Sequence, residues 1–153
     1  MPIHHTATGA LVSGAATIGA SSNSLQLLDR ATKLLSGASA LADLGEKELQ
    51  ASIFLASWCL ELALKGYLDA KGQGKKELAS IRHNLSKLWE CAAKEGLCIA
   101  AAPPRWCELL SATHDHPYHQ RYPTEAIASV APQIQVVVKE LEALVATVKK
   151  ALP

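Results

Sequence analysis

From residue 24 onward, apolar residues recur three or four positions apart, which is the repeat of an α-helix with one buried face. The first run spans 24–43: Ser24 suits an N-cap, and Leu25, Leu28, Ala31, Leu35 and Ala38 share a stripe. Gly45 is a natural stop. A longer run over 46–70 places Leu49, Ile53, Ala56, Leu60, Leu64 and Tyr67 on one face, with Phe54 and Trp58 beside it. Because it is apolar on most sides, this run predicts the central helix. Gly72 and Gly74, flanked by lysines, read as a flexible connection.

A third helix is expected to start at Asn84, a strong N-cap, carry Leu85, Leu88, Trp89 and Ala92, and end at Gly96. Pro103 and Pro104 suit the first turn of a short fourth helix with Trp106, Leu109 and Leu110. Residues 114–123 break the periodicity and read as a loop. Pro132 then opens the cleanest amphipathic run, with Ile134, Val137, Val138, Leu141, Leu144, Val145 and Val148 on one stripe, which predicts lengthwise packing on the central helix. The expected fold class is all-α, an antiparallel bundle of four to five helices. No strand-period segment or internal repeat competes with that reading.

Composition sharpens the picture. Of 153 residues, 49% are hydrophobic but only 5% aromatic, so the apolar content is chiefly Ala, Leu and Val, which favours close-packed helices. The length fits one domain, over 24–153, preceded by a Gly/Ala/Ser/Thr-rich leader over 1–23 that lacks the basic start of a targeting segment. With no uninterrupted apolar run of about 18 residues, no membrane span is expected. A net charge of +1 gives no global attraction to nucleic acid, so any such contact has to come from a local patch. Cys59, Cys91, Cys98 and Cys107 form no CxxC pair and read as reduced, mostly buried thiols of a cytoplasmic protein.

Candidate chemistry concentrates in three places. Glu61 and Lys65 lie one turn apart on the central helix in the favourable order, either as a simple helix pair or, if other polar groups converge on them, as part of a site. Arg82 and His83 precede the third helix, where they can reach the Glu61 side. The loop from His114 to Pro123 holds general-base candidates, the anion-binding Arg121 and the phenols of Tyr118 and Tyr122; it is either a site or an anchor. His114, Asp115, His116 and His119 offer metal-type donors, but their spacing is not a strong zinc signature, so no metal and no other cofactor is expected. Gly72-Gln73-Gly74-Lys75 lacks the context of a phosphate loop.

The succession Glu61-Leu62-Ala63-Leu64-Lys65-Gly66-Tyr67-Leu68, then His83-Asn84-Leu85-Ser86-Lys87-Leu88, then Arg121-Tyr122-Pro123 resembles the HEPN superfamily of helical-bundle nucleotide-binding domains. The resemblance implies a bundle that is often a homodimer, found in prokaryotic toxin-antitoxin and phage-defence systems, with RNA or a nucleotide as ligand and an antitoxin or nucleotidyltransferase as partner. Many members are metal-independent endoribonucleases whose motif is an Arg followed five to seven positions later by a His. Neither Arg30, Arg82, Arg105 nor Arg121 has a His at that offset, and Asn84 stands where the family usually has Asp. The expectation is therefore a non-catalytic binding domain. Glu61, Lys65, His83 and Arg121 would form an internal polar cluster, and Arg82, Tyr118 and Tyr122 would complete the ligand-binding set. The alternatives are an endoribonuclease of altered motif, using His119 or His83 as base with Arg121 on the phosphate, and a purely structural dimerisation module.

Overall fold

The computed structural model describes residues 23–122 and 131–153; the expected leader, apart from Asn23, and Pro123 of the Arg-Tyr-Pro sequence lie outside the described residues. Among those residues there are six α-helices and no strand. They are α1 (Asn23–Ala42), α2 (Leu49–Ala70), α3 (Lys75–Ile81), α4 (Leu85–Lys94), α5 (Arg105–His114) and α6 (Ile134–Ala151), with a 3₁₀ turn at Glu46–Glu48 leading into α2.

The all-α expectation holds, and α2 is central: it packs against every other helix. Helices α1 and α2 run antiparallel. Ser52, near the start of α2, donates to the carbonyl of Ala38 near the end of α1 at 2.8 Å, while Gly66 at the far end of α2 faces Ser24. A Cβ on Gly66 would lie 3.1 Å from the Ser24 carbonyl oxygen, so the bare glycine lets the two backbones approach. Helix α6 lies on both α1 and α2 and buries the whole stripe from Ile134 to Val148. Its first turn begins two residues after Pro132, with Gln133 at the N-cap.

Two local expectations change. Helix α1 already contains Ser24, whose place is inside the first turn, and the buried stripe runs Leu28, Ala31, Leu35, Ala38, Ala42, leaving Leu25 47% exposed. The segment expected as a flexible connection after Gly72 contains α3, because Leu78 and Ile81 are spaced to bury together against the bundle. Two apolar residues among lysines and glycines make too short a pattern for periodicity to reveal.

Helix α4 starts as expected: the Asn84 side chain accepts from the Lys87 N–H at 2.9 Å. Its first-turn N–H groups, which lack intrahelical partners, gain a second acceptor from a neighbouring helix, since Ser111 Oγ on α5 accepts from the Leu85 and Ser86 amides at 3.0 and 3.3 Å. Helix α5 starts after Pro104 and extends to His114. The stretch Glu46–Ala70 is apolar and long enough to cross a membrane, but 67% of its most apolar 18-residue window is buried inside the protein, as befits the helix around which a bundle is built.

Candidate functional site

Three residues of α2, Trp58, Glu61 and Lys65, stand three and four positions apart and so share one stripe of the helix. That stripe meets the chain at two further places: the bend between α3 and α4, and the end of α5 with the loop after it. Glu61 is the meeting point. Its side chain is only 2% exposed, yet it carries three hydrogen bonds from charged or ionisable groups. Lys65 Nζ donates to Oε1 at 2.7 Å, His83 Nδ1 lies 3.0 Å from Oε2, and His114 Nε2 lies 2.6 Å from Oε2.

Burial alone would push the Glu61 carboxyl up. The hydrogen bonds from His114, Lys65 and His83, together with the Lys65 charge, outweigh burial and hold it down at about 2, so the group is a carboxylate at any ordinary pH. An ionised carboxylate has only acceptor sites, so the facing nitrogens of both histidines carry the protons. For His114, 0% exposed, the other ring nitrogen is buried without a partner, which fits a bare lone pair there. For His83, 24% exposed, the outer nitrogen is the one not engaged by Glu61.

Lys65 reaches past Glu61 to donate to the backbone carbonyl of Arg82 at 2.8 Å. Arg82 holds φ at 58°, the left-handed region that costs a non-glycine residue energy, and its side chain is exposed. The carbonyl, not the guanidinium, thus joins the cluster. Among the described residues Tyr118 is the other non-glycine residue with positive φ, at 64°. Both such residues therefore border the site, a place where backbone strain commonly collects.

The aromatic wall is Trp58. Its ring meets His83 and His114 edge-on, with centroids 5.5 and 5.0 Å away. Tyr118 in turn meets His83 at 5.8 Å. The Arg121 guanidinium lies over Tyr118 at 4.4 Å and over Trp58 at 5.8 Å. Its Nε and Nη2 are buried with no hydrogen-bond partner among the described residues. Gln120 braces the loop by donating to Ser57 Oγ on α2 and Thr113 Oγ1 on α5, each at 2.9 Å.

The structure thus brings together Glu61, Lys65 and His83 directly, and Arg121 and Tyr118 around them. Tyr122 is 59% exposed at the rim, its ring 6.4 Å from that of Tyr118. His119 lies elsewhere: it lines a cavity of about 50 Å³ with Gln50 and Ile53. Ile53 is eight residues before Glu61, roughly 12 Å along the helix axis. The sequence reading missed the role of His114, taken as a loop residue. The signal was there: Cys107, Leu110 and Ser111 lead to His114 at helical spacing, so it belongs to the buried face of α5. Metal-type donors also gather differently from the expected loop set. Glu61, His83 and His114 present ligand atoms within 4.8 Å of one another. Burial pushes the thiols of Cys59 and Cys107 up to about 12, which keeps them inert.

Fold and site together define a helical-bundle domain whose central helix carries a buried carboxylate, tied to imidazoles from two later segments. The pattern of the HEPN domain matches residues 24–151, and the chain belongs to the HEPN family. No curated protein and no solved structure matches it.

Proposed function

We propose that this HEPN domain binds a phosphate-bearing ligand, RNA or a nucleotide, at the face formed by Arg121, Tyr118 and His83, and does so without cleaving it. The observation that carries the reading is the Arg121 guanidinium, fixed against Tyr118 and Trp58 with two buried nitrogens that have no hydrogen-bond partner among the described residues. A buried cation without an acceptor is costly, and the planar fork of an arginine matches phosphate oxygens in pairs. Tyr122 and Tyr118 offer ring faces for a base. Lys65 and Arg82 support the face from behind, the first through Glu61 and the second through its carbonyl.

The test is an anisotropy titration with a short labelled RNA and with a labelled nucleotide, at fixed salt. Arg121→Gln is expected to weaken binding by about tenfold or more, since a charge-assisted hydrogen bond contributes roughly 1.5–3 kcal/mol. Lys149→Gln, on the exposed side of α6, serves as the control of equal charge change. Equal affinity of wild type and Arg121→Gln would sink the reading and leave a structural dimerisation module. A homodimer in a cytoplasmic prokaryotic defence or toxin-antitoxin setting, with an antitoxin or nucleotidyltransferase as partner, belongs to the same proposal and is supported by family membership alone.

One observation favours a second reading, a metal-independent endoribonuclease. Glu61 grips His83 by Nδ1, which turns the outer nitrogen away from the carboxylate, and both His83 and Arg121 contact the Tyr118 ring. In that reading His83 or His119 takes the proton of a ribose 2′-hydroxyl and Arg121 holds the phosphate. RNA cleavage in chelator that disappears in Arg121→Ala and in either His83→Ala or His119→Ala would favour it over binding alone.

A further inference from the structure

We propose that Glu61, His83 and His114 form a binding site for one divalent transition-metal ion of the zinc class. The three donors come from α2, from the bend before α4 and from the end of α5, and their ligand atoms lie within 4.8 Å of one another. Two imidazoles and one carboxylate are the donor set of open zinc sites and of iron(II) sites with free positions.

The geometry needs little adjustment. Oε2 of Glu61 lies 3.0 Å from His83 Nδ1 and 2.6 Å from His114 Nε2. An ion about 2.0–2.1 Å from each donor would hold them roughly 3.3 Å apart in a tetrahedral arrangement. The two carboxylate–imidazole pairs open by a few tenths of an ångström, and the two imidazole nitrogens, within 4.8 Å of each other, close by up to about 1.5 Å shared between two side chains. Trp58 walls the site on one side, and His83, 24% exposed, is the most exposed of the three donors.

Two features act against the ion and set its affinity. Binding moves the His114 proton to the buried Nδ1, which has no acceptor among the described residues. Lys65 already holds Oε1 at 2.7 Å, and its ammonium repels a cation placed on Oε2. The site is therefore of moderate affinity, and removing the Lys65 charge tightens it. That response separates this site from adventitious binding at the other histidines, which no lysine change on α2 would affect.

The experiment is a cobalt(II) titration of the chelator-treated full chain, read by visible ligand-field absorption, followed by displacement with zinc. Wild type and the His116→Ala/His119→Ala double variant are expected to bind one equivalent alike. Lys65→Met is expected to bind about tenfold more tightly, equivalent to roughly 1.4 kcal/mol. His83→Ala is expected to lose the absorption while remaining folded at the titration temperature, with a lower thermal midpoint because Glu61 loses one of its donors. Wild-type cobalt affinity in His83→Ala, or an unchanged affinity in Lys65→Met, overturns the site. If His83→Ala does not fold, X-ray absorption on cobalt-loaded wild type decides. Two imidazoles in the first shell support the proposal, and a shell of oxygens only defeats it. Loss of RNA binding in Arg121→Gln is independent of all these readouts, so the two proposals fail separately.

Discussion

Helix α2 has two sides that are held in opposite ways. On one, Ile53, Ala56, Leu60, Ala63 and Leu64 are buried among apolar residues of neighbouring helices, with no directed contact required. On the other, Glu61 is as deeply buried but is held by three directed hydrogen bonds and one full opposite charge. The apolar side tolerates small shifts because dispersion and water exclusion are non-directional. The polar side does not. Removing one member leaves the others buried without partners, and that penalty exceeds what the intact cluster contributes.

The largest expected effect follows from that asymmetry. Glu61→Ala should destabilise the protein by about 3–5 kcal/mol in urea unfolding, because the Lys65 ammonium and two imidazole N–H groups lose their acceptor. Leu64→Ala, the matched change on the apolar side, should cost roughly 2–5 kcal/mol through lost burial and the cavity left behind. A Glu61→Ala cost below about 1 kcal/mol would show that the cluster adds nothing and would erase the contrast.

Acid separates the two sides more cleanly. The folded carboxyl of Glu61 sits at about 2, below its ordinary 4.5. Its stabilisation is therefore complete above the ordinary value and disappears as pH falls from there toward about 2. For metal-free protein the loss is on the order of 3 kcal/mol. Stability curves against pH should show this slope in wild type and in Leu64→Ala, and a shallower one in Glu61→Ala. Parallel curves for all three would assign the acid response to other carboxylates.

Smaller effects sharpen the frame around the cluster. Asn84→Ala removes the acceptor for the Lys87 amide and should lower stability by about 1 kcal/mol, seen as a modest shift of the thermal midpoint. At the other extreme, the Lys33–Asp29 pair is a 2.6 Å contact between side chains 75% and 59% exposed, so Lys33→Ala should change the midpoint hardly at all. A large effect there would mean that directed polar contacts matter on the surface as well.

The apolar side was the more legible in the sequence. The stripes of α2, α4 and α6 follow from spacing alone, and Asn84 announces its cap by residue type. The polar side was legible only in its members close in sequence: Glu61 and Lys65 are one turn apart, but nothing local says that His83 and His114 converge on the same oxygen. His114 is the instructive miss. A histidine beside Asp115, His116 and Pro117 looks like loop chemistry, while the helix phase set by Cys107 and Leu110 carries it into the core. Arg82 shows the converse, since what it brings to the cluster is its backbone carbonyl, which no side-chain pattern announces. Helix α3 escaped because seven residues with two apolar anchors are too few to define a period.

The sequence separations within the cluster set when it can assemble. Glu61 meets His83 across 22 residues and His114 across 53, so the carboxylate cannot be satisfied until α2, the α3–α4 bend and α5 have all docked. The α1–α2 hairpin, joined by a short connection and closed by apolar contacts, carries no such delay. Bonds that close only once all three segments have docked are expected to form late, locking what the apolar side has already gathered. Their loss should appear as faster unfolding at an almost unchanged folding rate.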